Sequence, residues 1–107
     1  MGNFGRFGGG QQNMQALMRQ AQKMQEEAMK AQQEVEESEV EGSASNGLVK
    51  VVMNGNKEVQ SLKINPDIVD PEDVEMLEDL IVVALNDASD KIENIRKEKL
   101  GKFGGLM

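Results

Sequence analysis

Gly47-Leu48-Val49-Lys50-Val51-Val52-Met53-Asn54-Gly55-Asn56-Lys57-Glu58-Val59-Gln60-Ser61-Leu62-Lys63-Ile64 is the stretch that decides the fold. Two β-rich runs flank Asn54-Gly55, the strongest short hairpin signal, because both residues tolerate the positive φ of a type I′ turn. In the first run Val49, Val51 and Met53 share one face, and Leu48, Lys50 and Val52 the other. In the second, Leu62 and Ile64 share a face. Val59 has the wrong parity for them, which predicts a twist or bulge near Gln60. A two-stranded hairpin alone is marginal in water, so the flanking segments must extend and cover it.

Immediately upstream, Ser38-Glu39-Val40-Glu41-Gly42-Ser43-Ala44 alternates weakly, with Val40, Gly42 and Ala44 on one face. It reads as an edge strand whose carboxylates discourage further pairing. Ser45-Asn46-Gly47 is the turn into the hairpin. Before it, residues 13 to about 37 predict a long helix. Met14, Leu17, Ala21, Met24, Ala28, Ala31 and Val35 hold an a/d heptad, and the remaining positions are mostly good helix formers. About 25 residues at 1.5 Å each span nearly 40 Å, longer than such a domain needs, so part of this helix should project or pair.

Downstream, Asn65-Pro66-Asp67 ends the third strand. Asp70 as N-cap, Pro71 at the first helical position and acids in the first turn then start a helix to about Leu100. Val74, Leu77, Ile81, Ala84, Ala88, Ile92 and Ile95 mark its main face. Residues 80–85 are apolar nearly all round and want cover on both sides. The expected order is α-β-β-β-α: one α+β domain over 13–100, its three-stranded antiparallel sheet flanked by two long helices. Gly-rich tails over 1–12 and 101–107 are expected to be disordered and flexible. The N-terminal glycines have neither a preceding strand nor a following Gly-Lys-Ser/Thr, so they do not read as a phosphate loop.

The 107 residues suffice for one domain. Apolar content is 38%, with three Phe and no Trp or Tyr, a thin core for a lone protomer. An obligate oligomer is therefore expected, with Leu80, Ile81, Ala84, Leu85 and Ala88 at its interface. The absence of Cys and His removes disulfides, thiolate metal sites, the cysteine nucleophile and the commonest general base. No cofactor, metal or small-molecule substrate is expected. No apolar run reaches the roughly 18 residues of a membrane span, and no signal-peptide core is present, so the default compartment is the cytoplasm.

Net charge is −7, which taken alone argues against nucleic acid. Its distribution changes that reading. Residues 1–25 carry Arg6, Arg19 and Lys23 and no acid. Residues 91–107 carry Lys91, Arg96, Lys97, Lys99 and Lys102 against Glu93 and Glu98. Residues 26–90 carry four bases and seventeen acids. An acidic middle thus lies between two basic ends.

Several runs carry a family resemblance. They are Met18-Arg19-Gln20-Ala21-Gln22-Lys23-Met24-Gln25; Gly47-Leu48-Val49-Lys50-Val51 with Asn54-Gly55; Ile64-Asn65-Pro66; and Glu75-Met76-Leu77-Glu78-Asp79-Leu80-Ile81-Val82-Val83-Ala84-Leu85-Asn86-Asp87-Ala88. In this order and spacing the sequence resembles the YbaB/EbfC family of bacterial nucleoid-associated proteins over most of residues 13–99. One departure is Asn65, where the family usually has Asp before Pro. The resemblance implies a tweezer-shaped homodimer whose helical arms bind double-stranded DNA in the nucleoid without a sharp sequence code.

If the two helices flank the hairpin antiparallel, the start of the first and the end of the second lie at the same end. Arg19, Lys23, Lys91, Arg96, Lys97, Lys99 and Lys102 are then the candidate DNA-binding residues, because phosphate neutralisation needs only such clusters. Against this, Lys and Arg also favour helix C-termini for the macrodipole alone. Glu75, Glu78, Asp79, Asp87 and Asp90 could hold a metal or an acid/base pair, but they read better as a solvated face. The heptad leaves open a coiled-coil adaptor or chaperone-like module that binds another protein. Phe4, Phe7 and Phe103 sit beside bases in the tails; three are too few to argue for base stacking.

Overall fold

The structure, a computed structural model, describes residues 2–106, with the side chains of residues 13–103. The chain forms two compact units, Met1–Lys30 and Ala31–Met107. The element order is α1 (Gly2–Glu37), β1 (Glu39–Ala44), β2 (Val49–Asn54), β3 (Val59–Ile64), a 3-10 turn (Pro66–Ile68), α2 (Val74–Leu100) and further 3-10 turns over Gly101–Leu106. This is the α-β-β-β-α layout the sequence predicts. The backbone of α1 is helical from Gly2, so it takes in most of the stretch expected as a disordered tail. The side chains of Phe4 and Phe7 lie outside the described residues.

The first unit consists of α1 as far as Lys30. Its seam residues Met14, Leu17 and Met24 are 61%, 61% and 42% exposed.

In the second unit the three strands form one antiparallel sheet in the order β1-β2-β3. The β1–β2 turn is the primed one. Ser45 and Asn46 both take positive φ (53° and 56°), and Gly47 follows at 89°. The amide of Gly47 donates to the Ala44 carbonyl at 3.2 Å. This corrects the assignment of the type I′ turn to Asn54-Gly55. There the connection is longer. The Asn54 side-chain oxygen accepts from the Asn56 and Glu58 amides at 2.9 and 3.0 Å. Lys57 supplies the positive φ, 61°. Asn54 thus acts through its side chain, as Asn does in Asx turns, and Gly55 is needed for a different reason: a Cβ there would run into the Val35 carbonyl of α1. The bulge lies where parity demands it. Val52 pairs with Ser61 and Met53 with Val59, leaving Gln60 as the extra residue.

One face of the sheet is the core. Ala44, Val49, Val51 and Met53 are buried beneath Ala84, Ala88 and Ile92 of α2. Val49, Val51, Ala84, Ala88 and Ile92 have no exposed surface at all. α2 covers β1 and β2. Leu62 pairs with Val51 and Val59 with Met53, and directly paired residues share a face. Yet Leu62 is 44% and Val59 50% exposed, so α2 leaves β3 uncovered. Ala84 and Ala88 also differ from expectation. Sunk against Gly42, they have no surface left for a second chain. The exposed apolar part of that segment is Val82 and Val83, with Leu80, Ile81 and Leu85 half-buried.

α2 starts later than Asp70 and Pro71 suggest. Its N-cap is Asp73, which accepts from the Met76 amide at 3.3 Å, while the Asp70 carboxylate accepts from the Glu72 amide at 2.9 Å. Two Asx-type caps in succession compete here, and the second is the one followed by the continuous helix. At the far end Leu100 and Phe103 are buried. Phe103 therefore belongs to the folded unit rather than to a flexible tail, and the Lys102 ammonium lies 4.9 Å from its ring centre.

Candidate nucleic-acid interface

The candidate bases divide between the two units, and their surroundings differ. On α1, Arg19 and Lys23 are exposed and stand four residues apart, which places them on one helix face. Neither has an ion-pair partner among the described residues. With Met14, Leu17, Ala21 and Met24 as the a/d positions, Arg19 and Lys23 fall at f and c, off the seam.

On α2 most of the bases already have partners. The Lys91 ammonium donates to the Glu41 carbonyl at 2.7 Å and pairs with Asp87 at 3.3 Å. Asp87 in turn accepts the Ser43 amide at 2.9 Å. That backbone hydrogen bond, reinforced by the Lys91 ammonium, holds the Asp87 carboxyl below its ordinary pKa. Arg96 donates to the Gly55 carbonyl at 3.2 Å and lies 4.0 Å from Glu93. Glu93 is bonded more closely by Lys57, at 2.7 Å. This bond, and the attraction of Lys57, Arg96 and Lys97, lower the Glu93 pKa. Lys99 pairs with Glu34 of α1 at 3.3 Å.

Lys97 is exposed and has no carboxylate partner among the described residues. Lys97 and Lys99 occupy the last turn of α2, where unpaired carbonyls favour cations irrespective of any ligand. The partnered side chains are 38–48% exposed, and exposed ion pairs are worth only about 0–1 kcal/mol. A phosphate can therefore compete for Lys99. It competes less well for Lys91 and Arg96, which also bond to backbone. The least committed bases are Arg19, Lys23 and Lys97, followed by Lys102.

Two structural roles escape a reading of composition. Lys91 and Asp87 bind the backbone of β1, and Arg96 binds the backbone of the β2–β3 connection. The i,i+4 spacing of Asp87 and Lys91 marks them as a pair on a helix face, but not which strand they meet. Among the described residues no group of three potential metal ligands gathers.

A family profile described as the YbaB/EbfC DNA-binding family matches residues 10–107. The chain is similar to a nucleoid-associated protein of Rhodococcus jostii, 52% identical over 97 residues that cover 91% of this chain and 86% of that one. It is similar to a nucleoid-associated protein of Chloroflexus aurantiacus, 47% identical over 95 residues that cover 88% and 95% of the two chains. Its fold is similar to the crystal structure of an uncharacterized protein of Helicobacter pylori. That match has a TM-score of 0.65 and 25% identity, and covers 85% of this chain and 94% of the other. The conserved layout and the near-complete extent of these matches place the chain in a known group: it belongs to the YbaB/EbfC DNA-binding family.

Proposed function

We propose that this chain is a nucleoid-associated protein that binds double-stranded DNA through phosphate contacts from its basic helix ends, acts as a homodimer and discriminates little between sequences. The observation that carries this reading is the set of uncommitted cations, Arg19, Lys23 and Lys97, in a chain of net charge −7. Each phosphate neutralised releases condensed counterions, so a few free cations suffice for salt-dependent binding. Contacts to the backbone of DNA fix position but carry no base sequence. The names of the relatives, nucleoid-associated proteins in two bacteria, support the nucleoid of the cytoplasm as its place of action. Nothing in the reading calls for catalysis.

Dimerisation is supported by apolar surface that a lone protomer leaves open: Val59 and Leu62 on β3, with Val82 and Val83 on α2. The exposed seam of α1 favours a second reading, a coiled-coil module that binds another protein. The two are compatible in geometry, since Arg19 and Lys23 lie off the seam. A mobility-shift titration of random duplex at two salt concentrations separates them. The DNA reading expects binding that weakens steeply with salt. A protein that ignores duplex at both concentrations overturns it and leaves the adaptor.

A further inference from the structure

We propose that Asp87 and Lys91 close the outer edge of the sheet against strand addition, so that copies of this chain cannot add to one another head to tail. In an antiparallel sheet, alternate residues of an edge strand point their N–H and C=O groups outward, away from the neighbouring strand. Glu41 and Ser43 of β1 are two residues apart and share that orientation. The Ser43 N–H donates to Asp87 at 2.9 Å, and the Glu41 carbonyl accepts from Lys91 at 2.7 Å. The two side chains are themselves paired at 3.3 Å, so one clasp occupies a donor and an acceptor of the edge. It can reach them because α2 sits directly on Gly42, with no Cβ between.

The opposite edge differs. Among the described residues, no side chain bonds to the backbone of β3. A sheet with two open edges lets β1 of each copy pair with β3 of the next, a heterologous contact that does not close and grows into filaments. Closing β1 removes that route and leaves only self-limiting twofold contacts. The inference does not rest on DNA binding.

The test uses the full chain. In the wild type, the Ser43 amide should exchange with solvent at least about tenfold slower than in an unstructured peptide, and Asp87→Asn should take away much of that protection. The Asp87→Ala, Lys91→Ala double variant, checked for folding by circular dichroism, should form larger species in sedimentation velocity as concentration rises. Adding Ser43→Pro, which removes the edge donor and blocks pairing with its ring, should return it to the wild-type size. A freely exchanging Ser43 amide in the wild type overturns the proposal. So does a folded double variant of wild-type size at every concentration, or assembly that Ser43→Pro leaves unchanged.

Discussion

Gly42→Ala tests how α2 is seated on the sheet. Gly42 does not take positive φ, so alanine suits its backbone, and the lost flexibility of the unfolded chain alone stabilises by about 0.4–1 kcal/mol. Space opposes this. The new methyl group would run into the Ala84 carbonyl and stand 2.5 Å from the Ala88 amide nitrogen and 2.7 Å from the Ala88 methyl group. Atoms in contact settle near about 3.5–4.0 Å, so α2 must lift by about 1 Å over its best-buried turns. Overpacking of this kind costs about 1–3 kcal/mol, and more where backbone cannot yield. Two of the three obstacles are backbone, so the upper end applies, and the net loss is about 2 kcal/mol. For a domain of this size that lowers Tm by about 8–16 °C, read by thermal circular dichroism. Ala88→Gly in the same chain should recover only a small part, since it removes the methyl contact alone. An unchanged or raised Tm for Gly42→Ala would refute the close seating of α2 on β1, and with it the reach of Asp87 and Lys91 to the edge.

Ile92→Ala empties a fully buried position and should cost about 2–5 kcal/mol in a chemical denaturation curve. Val83→Asp places a charge on a side chain 52% exposed in the protomer; if the proposed dimer covers it, sedimentation should read a folded monomer, whereas an unchanged dimer removes Val83 from the interface. Plots of log affinity against log salt should flatten by about one unit for each of Arg19→Ala, Lys23→Ala and Lys97→Ala. Lys57→Ala, whose ammonium is held by Glu93, should leave the slope intact, and equal flattening would move the binding surface to the sheet. The folded-state pKa values of Asp87 and Glu93 are lowered. Their contribution to stability is therefore present above the ordinary carboxylate pKa of about 4 and lost as pH falls through the depressed values. Thermal melts should be level from neutral pH down to about 5 and fall in the acid range, less so for Asp87→Asn; a loss that begins between pH 6 and 7 would contradict this assignment.

The strands and their faces were legible because period-2 alternation and parity are local properties. Val49, Val51 and Met53 face the core, and the misfit of Val59 pointed to a twist or bulge near Gln60, which the pairing register shows to be a bulge. The turn type was less legible. Asn-Gly permits a primed turn without requiring one, and the side chain of Asn54 offered its own hydrogen bonds to Asn56 and Glu58. The start of α2 went to Asp73 because Asp70 and Asp73 are both competent caps and local sequence does not rank them. Burial misled for Ala84 and Ala88. An apolar segment that asks for two covers does not say which residues go to which, and only the contact with Gly42 assigns these two to the protomer's own core. Phe103 was hidden among glycines that read as a tail.

The bases were the hardest to rank, because sequence counts charges while binding depends on which charges are free. Arg19 has no acid within four residues on either side, so nothing local competes with a phosphate for it. Lys23 is followed by Glu26 and Glu27 at i+3 and i+4 but makes no ion pair with them among the described residues. On α2 every base except Lys97 meets a carboxylate or a backbone carbonyl. One of those carboxylates, Glu34, comes from another element, α1, and Glu93 of α2 itself is held more closely by Lys57 of the β2–β3 connection than by Arg96. An acid spaced i,i+3 or i,i+4 can be anticipated; one brought in by the fold cannot. The seventeen acids of residues 26–90 therefore do more than set the net charge. They engage some bases structurally and leave others free, and that sorting predicts steeper losses of DNA affinity at Arg19 and Lys97 than at Lys91, although all carry the same charge.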